Sequence, residues 1–218
     1  MLDFTQQSTP RRRFLTRMAA AAGLAAVAPR SLFAERATRG ADPTLEAWFG
    51  RIKGKHRIVF DAPAANGGMP VVWPRVYLMT MNATYGTTDA DNSAVVILRH
   101  EAAALALGDA MWAKYGLGAK IKVNDGDHPA TRNVYATITT LPLPNIGVVE
   151  VLKTGVLVGV CNMALMVMAG MLAGPGGNAD AVHQELVANV YPGIQVVPSG
   201  VMAVGRAQEQ GCNYCFAG

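Results

Sequence analysis

The chain has 218 residues, 51% of them apolar and 16% charged, which suits one domain with a sizeable core and excludes a disordered polymer. Its formal charge of +4 is concentrated at one end: residues 1–34 hold five Arg and one Asp, whereas residues 35–218 balance 14 Lys and Arg against 14 Asp and Glu. The body of the chain therefore has no charge bias toward nucleic acid or an anionic membrane surface.

In chain order, residues 1–34 read as a targeting segment. Arg11 and Arg12 precede Phe14 and Leu15, and an Ala-rich run from Met18 to Ala28 follows. That is the pattern of a twin-arginine signal peptide, with cleavage after Ala28 or Ala34. An uncleaved amphipathic helix is the alternative. The apolar run, about 11 residues, is short of the ~20 that span a bilayer. The expectation is a periplasmic protein, exported by the twin-arginine pathway and without a stable membrane anchor after cleavage.

Residues 35–54 read as a linker or short helix, and residues 55–218 as the folded domain. "HRIVFD" (56–61), "SAVVILR" (93–99), "VLVGV" (156–160), "IQVV" (194–197) and "NYCFA" (213–217) are short, β-branched or aromatic runs expected as strands. Between them, helices are expected over 70–84, over "EAAALALGDAMWAKYG" up to Gly116, over 145–154, 162–172 and 179–189, and from Val201 to Gln210. Residues 117–143 read as irregular. Alternating helices and continuous apolar strands predict an α/β fold with a mostly parallel sheet of about five strands, covered on both faces.

In such sheets ligands bind outside the carboxyl ends of the strands, near a switch in strand order. The groups at those ends are Asp61; Arg99, His100 and Glu101; Cys161 and Asn162; and Pro198, Ser199 and Gly200. Cys161 falls where a strand meets a helix, and the unpaired N–H groups of a helix start favour negative charge on a thiol. His100 would assist if its strand lies close. Asn162, Ser199 and Gly200 would form an anion-binding turn at helix starts. The plainer alternative for Cys161 is a small buried hydrophobe, and for His100 a structural histidine.

Three segments carry a resemblance: "GVCNMAL", "YPGIQVVPSGVMAVGRAQEQG" and the aromatic final strand. Together they resemble the DsrE/DsrF-like family of small sulfur-relay and related proteins. The similarity covers roughly 56–218 and is sharp from 155 onward. It implies a three-layer α/β/α fold of flavodoxin-like type and an oligomer. It also implies a persulfide-carrying role for Cys161, with a small sulfur species or a relay protein as partner and no cofactor. The chain departs from the family in its export signal and in the ending "GCNYCFAG", which adds Cys212 and Cys215.

Residues i and i+3 of a strand are ~10 Å apart and point to opposite faces, and a disulfide needs Cα atoms within ~7 Å. Cys212 and Cys215 can therefore pair only if Cys212 lies in the turn before the strand. A structural pair is the first expectation; a soft-metal site completed by Cys161 or a partner chain is the alternative. Cys161 with Met163, Met166, Met168 and Met171 would suit copper(I), although a Met-rich helix is ordinarily core. No nucleotide-phosphate loop follows any strand. The functional expectation is an exported protein that handles sulfane sulfur through Cys161. The alternatives are a non-enzymatic module that binds a soft metal or small anion, and a structural oligomer-forming protein.

Overall fold

A computed structural model of the chain describes residues 42–218, and Pro43–Gly218 form one compact unit. The signal-peptide expectation falls on residues outside the described range. The main elements are α1 (Pro43–Phe49), β1 (His56–Ala62), α2 (Met69–Tyr85), β2 (Asn92–Leu98), a 3-10 segment (His100–Ala106), α3 (Asp109–Tyr115) and α4 (Leu117–Lys120). A two-residue hairpin follows, β3 (Asn124–Asp125) and β4 (His128–Pro129). Then come α5 (Val148–Lys153), β5 (Leu157–Cys161), α6 (Asn162–Ala173), α7 (Ala179–Ala188), β6 (Gln195–Val197), α8 (Gly200–Glu209) and β7 (Asn213–Phe216).

Five strands form one sheet in the order β6-β5-β2-β1-β7, and every pairing in it is parallel. The fold is thus α/β with helices on both faces, as the strand–helix alternation predicts, and it has the three-layer flavodoxin-like arrangement that the resemblance implies. Its strand order differs from flavodoxin's own 2-1-3-4-5. The chain steps outward from β1 through β2 and β5 to β6, then returns through α8 to place β7 on the far side of β1.

Strand alternation divides the core in two. Phe60, Ala94, Val96, Leu98, Val158 and Val160 point to one face, against α2, the 3-10 segment, α3, α5, α6 and α7. Val59, Val95, Ile97, Leu157 and Val197 point to the other, against α1 and α8. The β2 strand is buried along its whole length, which is why "NSAVVIL" is apolar without alternation.

Of the two readings of residues 35–54, linker or short helix, the structure shows a short helix: α1 lies there, and its Trp48 and Phe49, with Ile52 just beyond, are buried in the second core. These residues cover sheet area that α8 alone would leave bare. One expectation is corrected. The segment from Glu101 to Tyr115 is not one helix. Ala102 to Leu107 are fully buried, so the segment has no solvent face for a surface helix to present. Leu107 is extended and bridges Val190. Asn133 Nδ2 donates to the carbonyls of Leu105 and Leu107 at 2.8 and 3.0 Å, which helps satisfy backbone that an α-helix would have paired internally. Among the described residues no helix is long and apolar enough to cross a membrane.

Candidate functional site

Neighbouring strands whose outgoing connections leave over opposite faces open a crevice at their carboxyl ends. β5 and β6 are such a pair. From β5 the chain runs through α6 and α7 over the first core; from β6 it runs through α8 over the second. Cys161 closes β5, and Pro198, Ser199 and Gly200 follow β6, so these groups border the crevice.

The register shows what lies beside the thiol. Leu98 pairs with Val160, and one step further Arg99 falls beside Cys161. Arg99 has the parity of Val95 and Ile97, and Cys161 that of Leu157, so both belong to the α8 face. Gly200 fits over them. A Cβ on Gly200 would lie 2.7 Å from Arg99 Cβ and 3.3 Å from Cys161 Cβ, so the first turn of α8 approaches both as only glycine permits.

Cys161 N-caps α6: Sγ accepts a hydrogen bond from the Ala164 N–H at 3.3 Å. The residue is 6% exposed. Arg99 holds Asp61 in a two-point pair, Nε to Oδ1 at 2.6 Å and Nη2 to Oδ2 at 2.9 Å. The Tyr214 hydroxyl donates to Asp61 Oδ2 at 2.9 Å. A row of polar groups therefore crosses the sheet edge from β7 through β1 and β2 to β5: Tyr214, Asp61, Arg99 and Cys161.

Burial alone would raise the Asp61 pKa. The hydrogen bonds from Arg99 and Tyr214, with the Arg99 charge, outweigh it and hold the carboxyl below its ordinary value. Arg99 is raised, first by its hydrogen bond to Asp61, against desolvation, and then by the charges of Asp61, Tyr214 and Cys161. Tyr214 is raised chiefly by its bond to Asp61. At neutral pH the row thus contains a carboxylate and a fixed guanidinium.

The other expected residues fall as follows. His100 is at the same edge, at the end of β2, but it is exposed, has a φ of +52°, and makes no side-chain hydrogen bond among the described residues. Asn162 is engaged: its Oδ1 accepts from His183 Nε2 at 2.8 Å, and its Nδ2 faces Met166 Sδ at 3.9 Å. Desolvation lowers the His183 pKa from its ordinary value, partly opposed by the Asp180 charge. Ser199 is the N-cap residue of α8 but makes no side-chain capping bond, which leaves its hydroxyl and the first-turn N–H groups without that partner.

All three cysteines are free. Cys212 is buried in the core under α8, where desolvation pushes its pKa up to about 11, partly opposed by the Arg57 charge. Cys215 pairs with Phe60 in register and packs against the opposite core. The two thiols therefore lie on opposite faces of the sheet and form no disulfide with each other. Of the α6 methionines, Met168 is buried in the first core, Met163 and Met171 are 36% and 69% exposed, and Met166 Sδ lies 3.9 Å from Asn162 Nδ2. Among the described residues no group of three or more His, Cys, Asp and Glu side chains could hold a metal ion.

Sequence reasoning gave His100 a helper role if its strand lay close; β2 does adjoin β5, and the structure also sets Arg99 beside the thiol, held by Asp61 and Tyr214. Strand parity was the available signal: residue 99, not 100, shares the face of 95 and 97. His183 had no signal, because it meets Asn162 only when α7 folds back on α6. In comparison with known proteins, no family model matches the chain, and no curated protein matches it.

Proposed function

We propose that this protein carries sulfane sulfur on Cys161, as an exported DsrE-like protein of the bacterial periplasm. The observation that carries the reading is the placement of Cys161 in the β5/β6 crevice, with the Ala164 N–H on its sulfur and the Arg99 guanidinium alongside. A thiolate there has a donor and a cation to hold its charge. Sulfur loading is a displacement. The Cys161 thiolate attacks the sulfane sulfur of a donor, a new S–S bond forms, and the donor's leaving group departs with the electron pair. An acceptor thiolate then takes the terminal sulfur and releases Cys161 as thiolate.

Export rests on Arg11, Arg12 and the Ala-rich run. Self-association rests on α6, whose Met163, Val167 and Met171 form an exposed apolar stripe at helical spacing. One experiment tests the reading: intact-mass spectrometry of the native protein recovered from the periplasmic fraction. The expected result is a chain that begins after Ala28 or Ala34 and carries about 32 Da, one sulfur atom, on Cys161. A chain whose Cys161 never gains sulfur, in cells or from added sulfane donors, would falsify the carrier role. Bound copper or another soft metal in its place would favour the binding-module reading.

A further inference from the structure

Arg99 has five N–H donors, and Asp61 occupies two of them. Its Nη1 makes no hydrogen bond among the described residues, and the side chain remains 29% exposed. Asp61 holds the plane of the guanidinium from one side, and Tyr214 holds Asp61. Gly200 presses on the Arg99 stem, within 3.1 Å of Cδ for an added Cβ. The cation is thus fixed at both ends, with a free edge at the rim where Cys161 closes β5. A site of this kind is prepared for a planar or tetrahedral oxyanion, which guanidinium binds through paired hydrogen bonds.

We infer that Arg99 is the specificity-determining residue of this site, and that it selects sulfane donors bearing an anionic oxygen group of the thiosulfate class. The inference rests on the sulfur-carrying reading of Cys161. Its physical basis is the charge of the reactants. A thiolate and thiosulfate are both anions, and they repel unless a cation lies between them. Arg99 is the described cation whose field reaches Cys161. The donor's oxygens bind the free edge of Arg99, which turns its sulfane sulfur toward Sγ. The Cys161 thiolate attacks that sulfur; the new S–S bond forms as the bond to the sulfonate sulfur breaks. Sulfite leaves with the electron pair, and Cys161 is left as a persulfide anion. Three negative charges enter the step and three leave it, and no external oxidant or reductant takes part.

The test compares two reactions at Cys161 of the reduced protein: sulfur loading from thiosulfate, read as an added mass of about 32 Da, and alkylation by neutral iodoacetamide. Arg99→Met should lower the ratio of the two rates about tenfold or more, the scale of one charge-assisted hydrogen bond. Arg99→Lys keeps the charge without the fork and should lower the ratio by a smaller factor. If Arg99→Met fails to fold, as judged by circular dichroism, Arg99→Lys decides alone. A ratio unchanged in the folded variants overturns the inference. So does a wild-type protein that loads from polysulfide, an oxygen-free donor, but not from thiosulfate; the carrier reading then stands without it. Failure with both donors removes the carrier reading and this inference together.

Discussion

Two glycines of α8 should respond to the same substitution with opposite signs. At Gly200 an added Cβ would lie 2.7 Å from Arg99 Cβ and 3.1 Å from Arg99 Cδ. Carbon atoms rest about 3.5–4.0 Å apart, so α8 or the Arg99 stem must retreat by roughly 1 Å. Overpacking of that kind costs about 1–3 kcal/mol. The stiffer unfolded chain offsets about 0.4–1 kcal/mol of it. Gly200→Ala should therefore destabilise by about 1–2 kcal/mol. At Gly205, five residues further along the helix, an added Cβ meets nothing within 4 Å. Gly205→Ala should stabilise by about 0.5–1 kcal/mol through helix propensity alone. Urea denaturation reads both as shifts in midpoint at constant slope. The alkylation rate of Cys161 should change in the first variant and hold in the second. If Gly200→Ala stabilises as Gly205→Ala does, α8 does not rest on Arg99 and Cys161, and the argument for a shared site fails with it.

Asp61→Asn should destabilise by about 1–3 kcal/mol at pH 7, below the full cost of breaking a buried pair because Arg99 keeps some solvent. The folded-state pKa of Asp61 is depressed, so its contribution is present above the ordinary value of 3.8 and is lost as pH falls through the lower folded value. Urea curves of the two proteins should therefore converge below pH 3.8; a gap that persists there would show that the charge is not the cause. At the other cysteines, Cys212→Ser should cost about 1–3 kcal/mol, since a hydroxyl would enter an apolar core. Cys215→Ser should cost under about 1 kcal/mol, because its Sγ already faces the Phe216 carbonyl at 3.7 Å and a hydroxyl can donate there. In the folded protein Cys212 should resist iodoacetamide at pH 7 and react only on denaturation; prompt labelling would refute its placement under α8.

The five strands of the main sheet were readable from sequence as short runs between Gly, Pro or polar breaks, whereas the exposed polar pair β3 and β4 lay in a stretch read as irregular. Helix α2 was readable for a similar reason: its apolar period holds from Met69 to Tyr85, and Gly86 stops it with a φ of +65°. The failures arose where tertiary contact outweighed local preference. "EAAALALG" has strong helix formers throughout, yet it lies inside the first core and is shaped by Asn133 and by the bridge to Val190. Pro43–Phe49 stayed open between linker and short helix because only three of its residues face the sheet. At the site, the thiol and its helix start were visible in one stretch of chain. The Arg99–Asp61–Tyr214 row was not, since its members are 38 and 153 residues apart and meet only through strand register.

Exposure alone does not distinguish the two buried thiols. Cys161 and Cys212 are equally covered, each 6% exposed. Their surroundings differ in kind. Around Cys212 are the apolar residues under α8, and desolvation governs it. Around Cys161 are a backbone N–H aimed at sulfur, a guanidinium on the adjacent strand, and a helix start with no side-chain cap. Equal burial strengthens electrostatic effects at both places, since low dielectric amplifies whatever polar groups are present. At Cys212 there is little to amplify, so burial acts against charge. At Cys161 the Ala164 N–H and the Arg99 strand end stand beside the sulfur. Both arrangements follow from where the strands end. Cys212 precedes β7, at the amino edge of a parallel sheet, whereas Cys161 closes β5 at the carboxyl edge. In this topology the carboxyl edge receives the starts of α6 and α8, while the amino edge receives helix ends. A thiol at the second edge is core by default, whereas a thiol at the first stands beside a helix start and, here, beside the Arg99 strand end.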